Sequence, residues 1–313
     1  MASSRATQHK QPAEAWRIMR WRSRHWAHRE PLTADAEGVA LTMLRIPAGS
    51  FEMGAPQTEA ESTGRERPVH RVTLGEFLLG QTPITQAQWR AVAEWKRLGN
   101  EPVDRWPESL DPDPVAKLTD PERFRGDLRP VVNVTWFDAQ AFCQRLALRT
   151  GKNYTLPSES QWEYACRAGT TTPFHYGATI STELANYNGR EVYGDGERGG
   201  YRQQTTDVAS FPANPWGLHD MHGNVWEWCS DCSHTNYKDA PNDGRAWQDE
   251  NAKRYMNFAN KNWINWIQMN KKLLRGGSLG SIPRLCRSAC RGCNHPDNRN
   301  GNVGFRVCCL PQD

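Results

Sequence analysis

The sequence predicts an α+β fold with little regular secondary structure and long ordered loops. Three observations carry that prediction. Helical periodicity is confined to three short stretches before residue 170, short apolar runs read as strands towards both ends, and the second half is rich in Gly, Asn, Asp and Pro. At 313 residues the chain can bury a substantial core without disulfide staples. No stretch approaches the about 18 consecutive apolar residues of a membrane span, and mean hydropathy is −0.79, so a soluble protein is expected and no membrane partner.

Residues 1–37 read as a basic N-terminal leader, because periodic apolar structure begins only with LTMLRIPAGSFEMG. The leader lacks the apolar core and small-residue cleavage site of a secretory signal, which points to the cytoplasm. Its interleaved Arg and Trp suit an acidic partner or nucleic acid, but a short charged leader is more often a solvated tail, and a net charge of +4 is too near balance to indicate nucleic acid. Residues 38–313 read as one domain.

The run from Leu41 to Gly54 alternates and ends in glycine, as a strand and turn would. Three helix starts follow. Ile84, Thr85, Gln88 and Trp89 place a capping hydroxyl, an amide that can reach back, and a pair of apolar staples. Pro157, Ser158, Gln161 and Trp162 repeat the arrangement, and Val134, Thr135 and Asp138 give a weaker version. The helix after Thr135 carries Phe137, Ala141 and Leu146 and ends at Gly151, a left-handed cap. The helix after Ser158 aligns Trp162, Ala165 and Cys166 and stops at Gly169. The chain holds 14 Trp, and those at helix starts read as anchors to the core. Beyond residue 170 only GNVWEW, LLRGGS and VGFRVCCL read as strand-like runs in a half made mostly of ordered loops, which tend to be functional surfaces.

The nine cysteines are odd in number, and five lie in the last 30 residues, so a disulfide framework is not expected. Cys229 and Cys232 form a CxxC, but Cys308 and Cys309 are adjacent, a spacing that argues against a four-thiolate zinc site.

The segments IPAGSFEMG, TPITQAQWRAV, PVVNVTWFDAQAFCQRL, YTLPSESQWEYACRAG, NPWGLHDMHGNVWEWCSD, LLRGGS and VGFRV occur in that order over residues 38 to 310. Together they resemble the sulfatase-modifying-factor family, whose formylglycine-generating enzyme has a variant of the C-type lectin fold. The resemblance implies that fold here. It implies activity less directly. In the oxidase two cysteines after the GGS turn bind copper, and the matching positions here are Ser281 and Cys286, so one of the two thiolates is missing and catalysis is expected to be lost. The related sulfoxide synthases bind iron through three histidines, largely from an added domain; the histidines here, among them His9, His25, His28, His70, His219, His222 and His295, show no HxxxH or HxH pairing. The resemblance also implies a calcium loop formed by Asp220, Gly223, Val225 and Glu227, a hard oxygen set. A second family calcium position, near Asn186 and Tyr187, lacks an acidic partner. No other cofactor is required.

From Gly276 to Pro311 the chain contains no Met, Trp, Lys, Gln or Glu, although these make up 63 of 313 residues. Those five are the amino acids that a codon ending in cytosine cannot encode. The segment also resembles the variable region of proteins diversified by retroelements, in which adenines of template asparagine codons are randomised. The variable region is expected at about residues 276–309, between RGGS at Arg275 and GFRV at Gly304. Its variable positions would be Gly280, Ser281, Ile282, Leu285, Cys290, Gly292, Cys293, Asn294, His295, Asn300, Gly301 and Asn302. The resemblance thus implies a non-catalytic protein that binds a protein or other macromolecule through a solvent-facing patch on a rigid core. An oxygen-dependent oxidase or sulfoxide synthase of the same fold is the alternative. The insert from Cys232 to Asn270, with Tyr237, Trp247, Tyr255, Trp263 and Trp266, either flanks that patch or packs as a lid.

Overall fold

A computed structural model of the chain describes residues 25–35, 38–97, 110–248 and 271–311. Its largest sheet has five strands: β1 (Ala27–Pro31), β2 (Ala40–Ile46), β5 (Phe77–Gly80), β11 (Cys308–Leu310) and β6 (Asn153–Thr155), antiparallel throughout and adjacent in that order. β3 (Gly49–Met53) and β4 (His70–Leu74) pair separately. A second sheet orders β10 (Val303–Gly304), β7 (Trp226–Cys232), β8 (Lys272–Arg275) and β9 (Gly292–Asn294), with only β10 and β7 parallel. This is the mixed α/β architecture expected, with strands from both ends of the sequence meeting in one sheet.

The leader boundary needs correction. Residues 27–31, placed in the leader, form edge strand β1, registered from Ala27 opposite Leu44 to Pro31 opposite Ala40. The strand escapes an apolar pattern because its buried residue is Glu30, whose carboxylate accepts from Tyr154 Oη at 2.8 Å and is ion-paired with Lys152. A satisfied buried acid does the work usually given to an aliphatic side chain.

All three α-helices among the described residues carry capping boxes. α1 (Gln86–Ala93) starts at Thr85, α2 (Trp136–Thr150) at Thr135 and α3 (Glu159–Arg167) at Ser158, each hydroxyl accepting from the N–H three residues on. Gly151 closes α2 in the left-handed conformation, φ 69°. α3 ends one residue earlier than expected, with Ala168 taking the left-handed position, φ 46°. In α2 the buried face is Ala139, Phe142, Cys143 and Leu146; Phe137 is 41% exposed, so it does not belong to the core stripe.

Trp89 stacks on Phe142 at 5.6 Å, and Phe305 meets both rings edge-on, tying α1 and α2 to the C-terminal segment. Trp162 of α3 is fully buried in a second cluster with Leu273, Met221 and Cys308. These tryptophans are core anchors, as expected from the helix starts.

Candidate functional site

After β8 the backbone passes through Gly276 and Gly277, with φ 94° and 74°. A Cβ at Gly276 would meet the Trp162 ring at 3.0 Å, and one at Gly277 would lie 2.6 Å from Cys286 Sγ, so both positions need glycine. Ser278 N–H then donates to Ser281 Oγ at 3.0 Å, and Asn302 Nδ2 donates to Ser278 Oγ at 3.1 Å. This closes the two ends of the 276–302 segment on each other.

Five arginines hold that segment to the rest of the fold. Arg275 pairs with Glu163 and donates to the carbonyls of Ser288 and Ala289. Arg287 reaches Glu59 at 2.6 Å and both oxygens of Glu66 at 2.8 Å. Arg291 clasps Glu159 through Nε at 2.7 Å and Nη2 at 2.9 Å, and its guanidinium stacks 4.2 Å from the Tyr237 ring. Arg299 meets Asp138 at 2.7 Å. Arg306 clasps Glu227. Burial pushes the Glu159 carboxyl up, but Arg291 and Arg275 outweigh it and hold the group below its ordinary value. Four of these guanidiniums are almost wholly buried, which is tolerable because each is bidentate or multiply bonded.

Between these clamps lie the twelve positions expected to vary. Gly280 is exposed; Ile282, Leu285, Gly292, Cys293, Asn294, His295, Asn300, Gly301 and Asn302 are half-buried. Ser281 and Cys290 are each 5% exposed, which corrects the expectation that every variable position faces solvent. Ser281 is turned inward by its bond to Ser278, while Cys290 lies in the turn whose carbonyls satisfy Arg275. Burial raises the Cys290 thiol to about 11. At Cys293, burial is outweighed by hydrogen bonds from Arg65 and Ser233, which lower the thiol.

The calcium set does not fit an ion as placed. Both Glu227 carboxylate oxygens are occupied, by Arg306 Nε (2.6 Å), Arg306 Nη2 (2.7 Å) and Trp162 Nε1 (2.7 Å). Asp220 Oδ2 accepts from Ala209 N–H at 2.8 Å, and the Gly223 carbonyl accepts from Val225 N–H at 2.9 Å. Burial raises the Asp220 carboxyl to about 6. At the second calcium position Asn186 Oδ1 is buried without a hydrogen-bond partner. Among the described residues no three His, Cys, Asp or Glu side chains converge as metal ligands.

The oxidase and synthase sites fare no better. Ser281 supplies a hydroxyl at the position where the family resemblance implies a second thiolate, and the Cys286 thiol is raised by complete burial. His175 and His222 stack at 4.7 Å, but His222 Nε2 accepts from His175 N–H and Nδ1 faces the Cys286 carbonyl at 2.7 Å. Of the insert, Tyr237 is core and Trp247 stacks on His234 at 3.6 Å; Tyr255, Trp263 and Trp266 lie outside the described residues.

Sequence reading missed the side chains that back the positions expected to vary. A Cβ at Gly280 would lie 3.4 Å from Tyr201 Oη, one at Gly292 would lie 3.0 Å from the Trp226 ring, and one at Gly301 would lie 3.2 Å from Leu118 and 3.9 Å from Phe124. Nothing local marks these partners. The spacing of the arginines through an otherwise mixed segment was a visible signal, but their acids lie far away in sequence.

Residues 29–309 match the sulfatase-modifying factor enzyme 1-like domain, and the chain belongs to that family. The hercynine oxygenase of Mycolicibacterium smegmatis is 30% identical over 302 residues, covering 88% of this chain and 63% of that protein, so the chain spans less than two thirds of that relative. The formylglycine-generating enzyme of Streptomyces coelicolor is 29% identical over 313 residues, covering 88% of this chain and 92% of that protein. Among solved structures, PvdO from Pseudomonas aeruginosa aligns with a TM-score of 0.66 at 29% identity, over 90% of this chain and 97% of that one. Variable protein 1 of Treponema denticola aligns with a TM-score of 0.62 at 21% identity, over 91% and 99%. The last likeness is one of fold.

Proposed function

We propose that this member of the sulfatase-modifying-factor family is a non-catalytic ligand-binding protein whose C-terminal surface is diversified by a retroelement through adenine-directed mutagenesis. The observation that carries the reading is the division of labour within residues 276–309. Arg287, Arg291 and Arg306, with Arg275 at the border, turn inward onto acids of the scaffold, while ten of the twelve positions between the borders are exposed or half-buried. A backbone held by its own framework side chains can exchange the others at little cost. The composition of the segment, lacking every residue that a cytosine-ending codon cannot encode, supports the same reading.

The ligand in this reading is a protein or other macromolecule, met in the cytoplasm. No helix among the described residues is long and apolar enough to cross a membrane. Sequencing this gene in sibling cells tests the proposal. Variation confined to positions such as Gly280, Leu285 and Cys293, with a nearby imperfect repeat differing only at adenines, is the expected result; a segment as uniform as α2 and α3 would overturn it.

The second reading, an oxygen-dependent oxidase or sulfoxide synthase, is favoured by 30% identity to hercynine oxygenase. Stoichiometric copper or iron in the purified protein, lost in Cys286→Ser, would establish it.

A further inference from the structure

Three of the variable positions hold glycine, and each lies against an aromatic side chain from outside the diversified segment: Tyr201 beside Gly280, Trp226 beside Gly292, and Phe124, behind Leu118, beside Gly301. All three residues are half-buried. Cations accompany them. Arg190 lies over the Tyr201 ring at 5.5 Å and Arg123 over Phe124 at 6.0 Å. Arg65, which touches Cys293 at 3.5 Å, and Arg190 have no carboxylate within 4 Å among the described residues. Residues 276–311 themselves carry five arginines and a single acid, Asp297.

Aromatic rings with arginine over them are the composition of binding hot spots, where an anchor side chain is desolvated against a flat apolar surface and a flanking charge is matched. We propose that this variant binds an acidic protein segment whose aromatic or large apolar side chains seat against Tyr201, Trp226 and Phe124. The inference rests on the segment being a ligand-binding face, and it assigns part of that face to side chains the retroelement does not alter. Diversification would then act by covering or uncovering rings that are always present.

Panning short random peptides on the intact chain tests this. Enriched peptides are expected to combine Asp or Glu with Trp, Tyr, Phe or Leu, and to lose about tenfold in Kd against Arg190→Ala and against Tyr201→Ala. Gly292→Ser, which sets a Cβ against the Trp226 ring, gives a comparable loss without removing a core side chain. No enrichment, enrichment of basic peptides, tighter binding of a single-stranded oligonucleotide, or peptides indifferent to all three variants would overturn the inference. Sibling sequencing judges the diversification reading separately, so variable siblings with indifferent peptides would sink this inference alone.

Discussion

Arg306 and Glu227, 79 residues apart in the chain, form a bidentate ion pair with no access to solvent, Nε at 2.6 Å and Nη2 at 2.7 Å from the two carboxylate oxygens. The pair joins the last segment of the chain to β7, and Trp162 Nε1 completes it from α3. Three elements distant in sequence are therefore fixed by one carboxylate. Arg306→Leu leaves that carboxylate buried and uncompensated, and is expected to cost about 3–5 kcal/mol. Urea unfolding with an unchanged m-value measures it. A loss below about 1 kcal/mol would show that the pair is dispensable.

The same occupancy predicts indifference to calcium. Glu227 has already given both oxygens to Arg306 and Trp162, so adding calcium, or removing it with a chelator, should leave the melting midpoint unchanged. A midpoint that rises and saturates with calcium, and no longer does so in Asp220→Asn, would contradict this.

Acid should destabilise the fold through His222. Burial pushes this imidazole down to about 4 from an ordinary 6.5. In the unfolded chain the ring takes a proton near pH 6.5 while the native ring stays neutral, so its contribution is present above pH 6.5 and is lost as pH falls towards about 4. The size is roughly 3 kcal/mol. Asp220 and Asp231, raised by burial to about 6 and about 7, act oppositely: their contribution is full below about 3.8 and is lost as pH rises through those values. His222→Asn, which can keep a donor towards the Cys286 carbonyl, isolates the first effect. Its stability should fall less steeply than the parent's between pH 6.5 and 4, and parallel curves would refute the assignment.

Helix starts should be individually costly. Thr135 Oγ1 accepts from Asp138 N–H at 3.0 Å while the Asp138 carboxylate returns to Thr135 N–H at 2.8 Å and also meets Arg299. Thr135→Ala is expected to cost about 1 kcal/mol, and more than Ser50→Ala at an exposed position of β3. Equal costs in chemical denaturation would count against the cap.

What could be read from sequence divides along the range of the interaction responsible. The capping boxes at Thr85, Thr135 and Ser158 and the left-handed Gly151 are local, so residue types three or four apart disclose them. β1 was hidden because its inward residue is Glu30, whose partners Lys152 and Tyr154 are more than 120 residues away. The roles of the arginines in the last segment were hidden for the same reason: Glu59, Glu66, Glu159 and Glu227 become visible as partners only once the chain has folded. The codon-limited composition singled out the segment, but which of its positions point outward was not legible, since Ser281 and Cys290 turn inward under contacts made by Ser278 and Arg275.

That difference among the positions expected to vary gives a final prediction. Asparagine is the unmutated template residue in the diversification reading, so restoring it at each position asks what the scaffold tolerates. Gly280 is exposed, and a Cβ there makes only an ordinary contact with Tyr201. Gly280→Asn should therefore change stability by no more than about 0.5 kcal/mol. Cys290 is 5% exposed and packs as a protonated thiol, so Cys290→Asn brings a larger amide with two donors and an acceptor into that space. A cost of about 1–3 kcal/mol follows unless every amide atom finds a partner. Denaturant midpoints of the two variants decide the matter, and equal midpoints would mean that burial at 290 does not constrain the residue. If the costs differ as expected, folding itself filters the diversity: position 280 can sample freely, whereas position 290 retains mainly small or apolar residues.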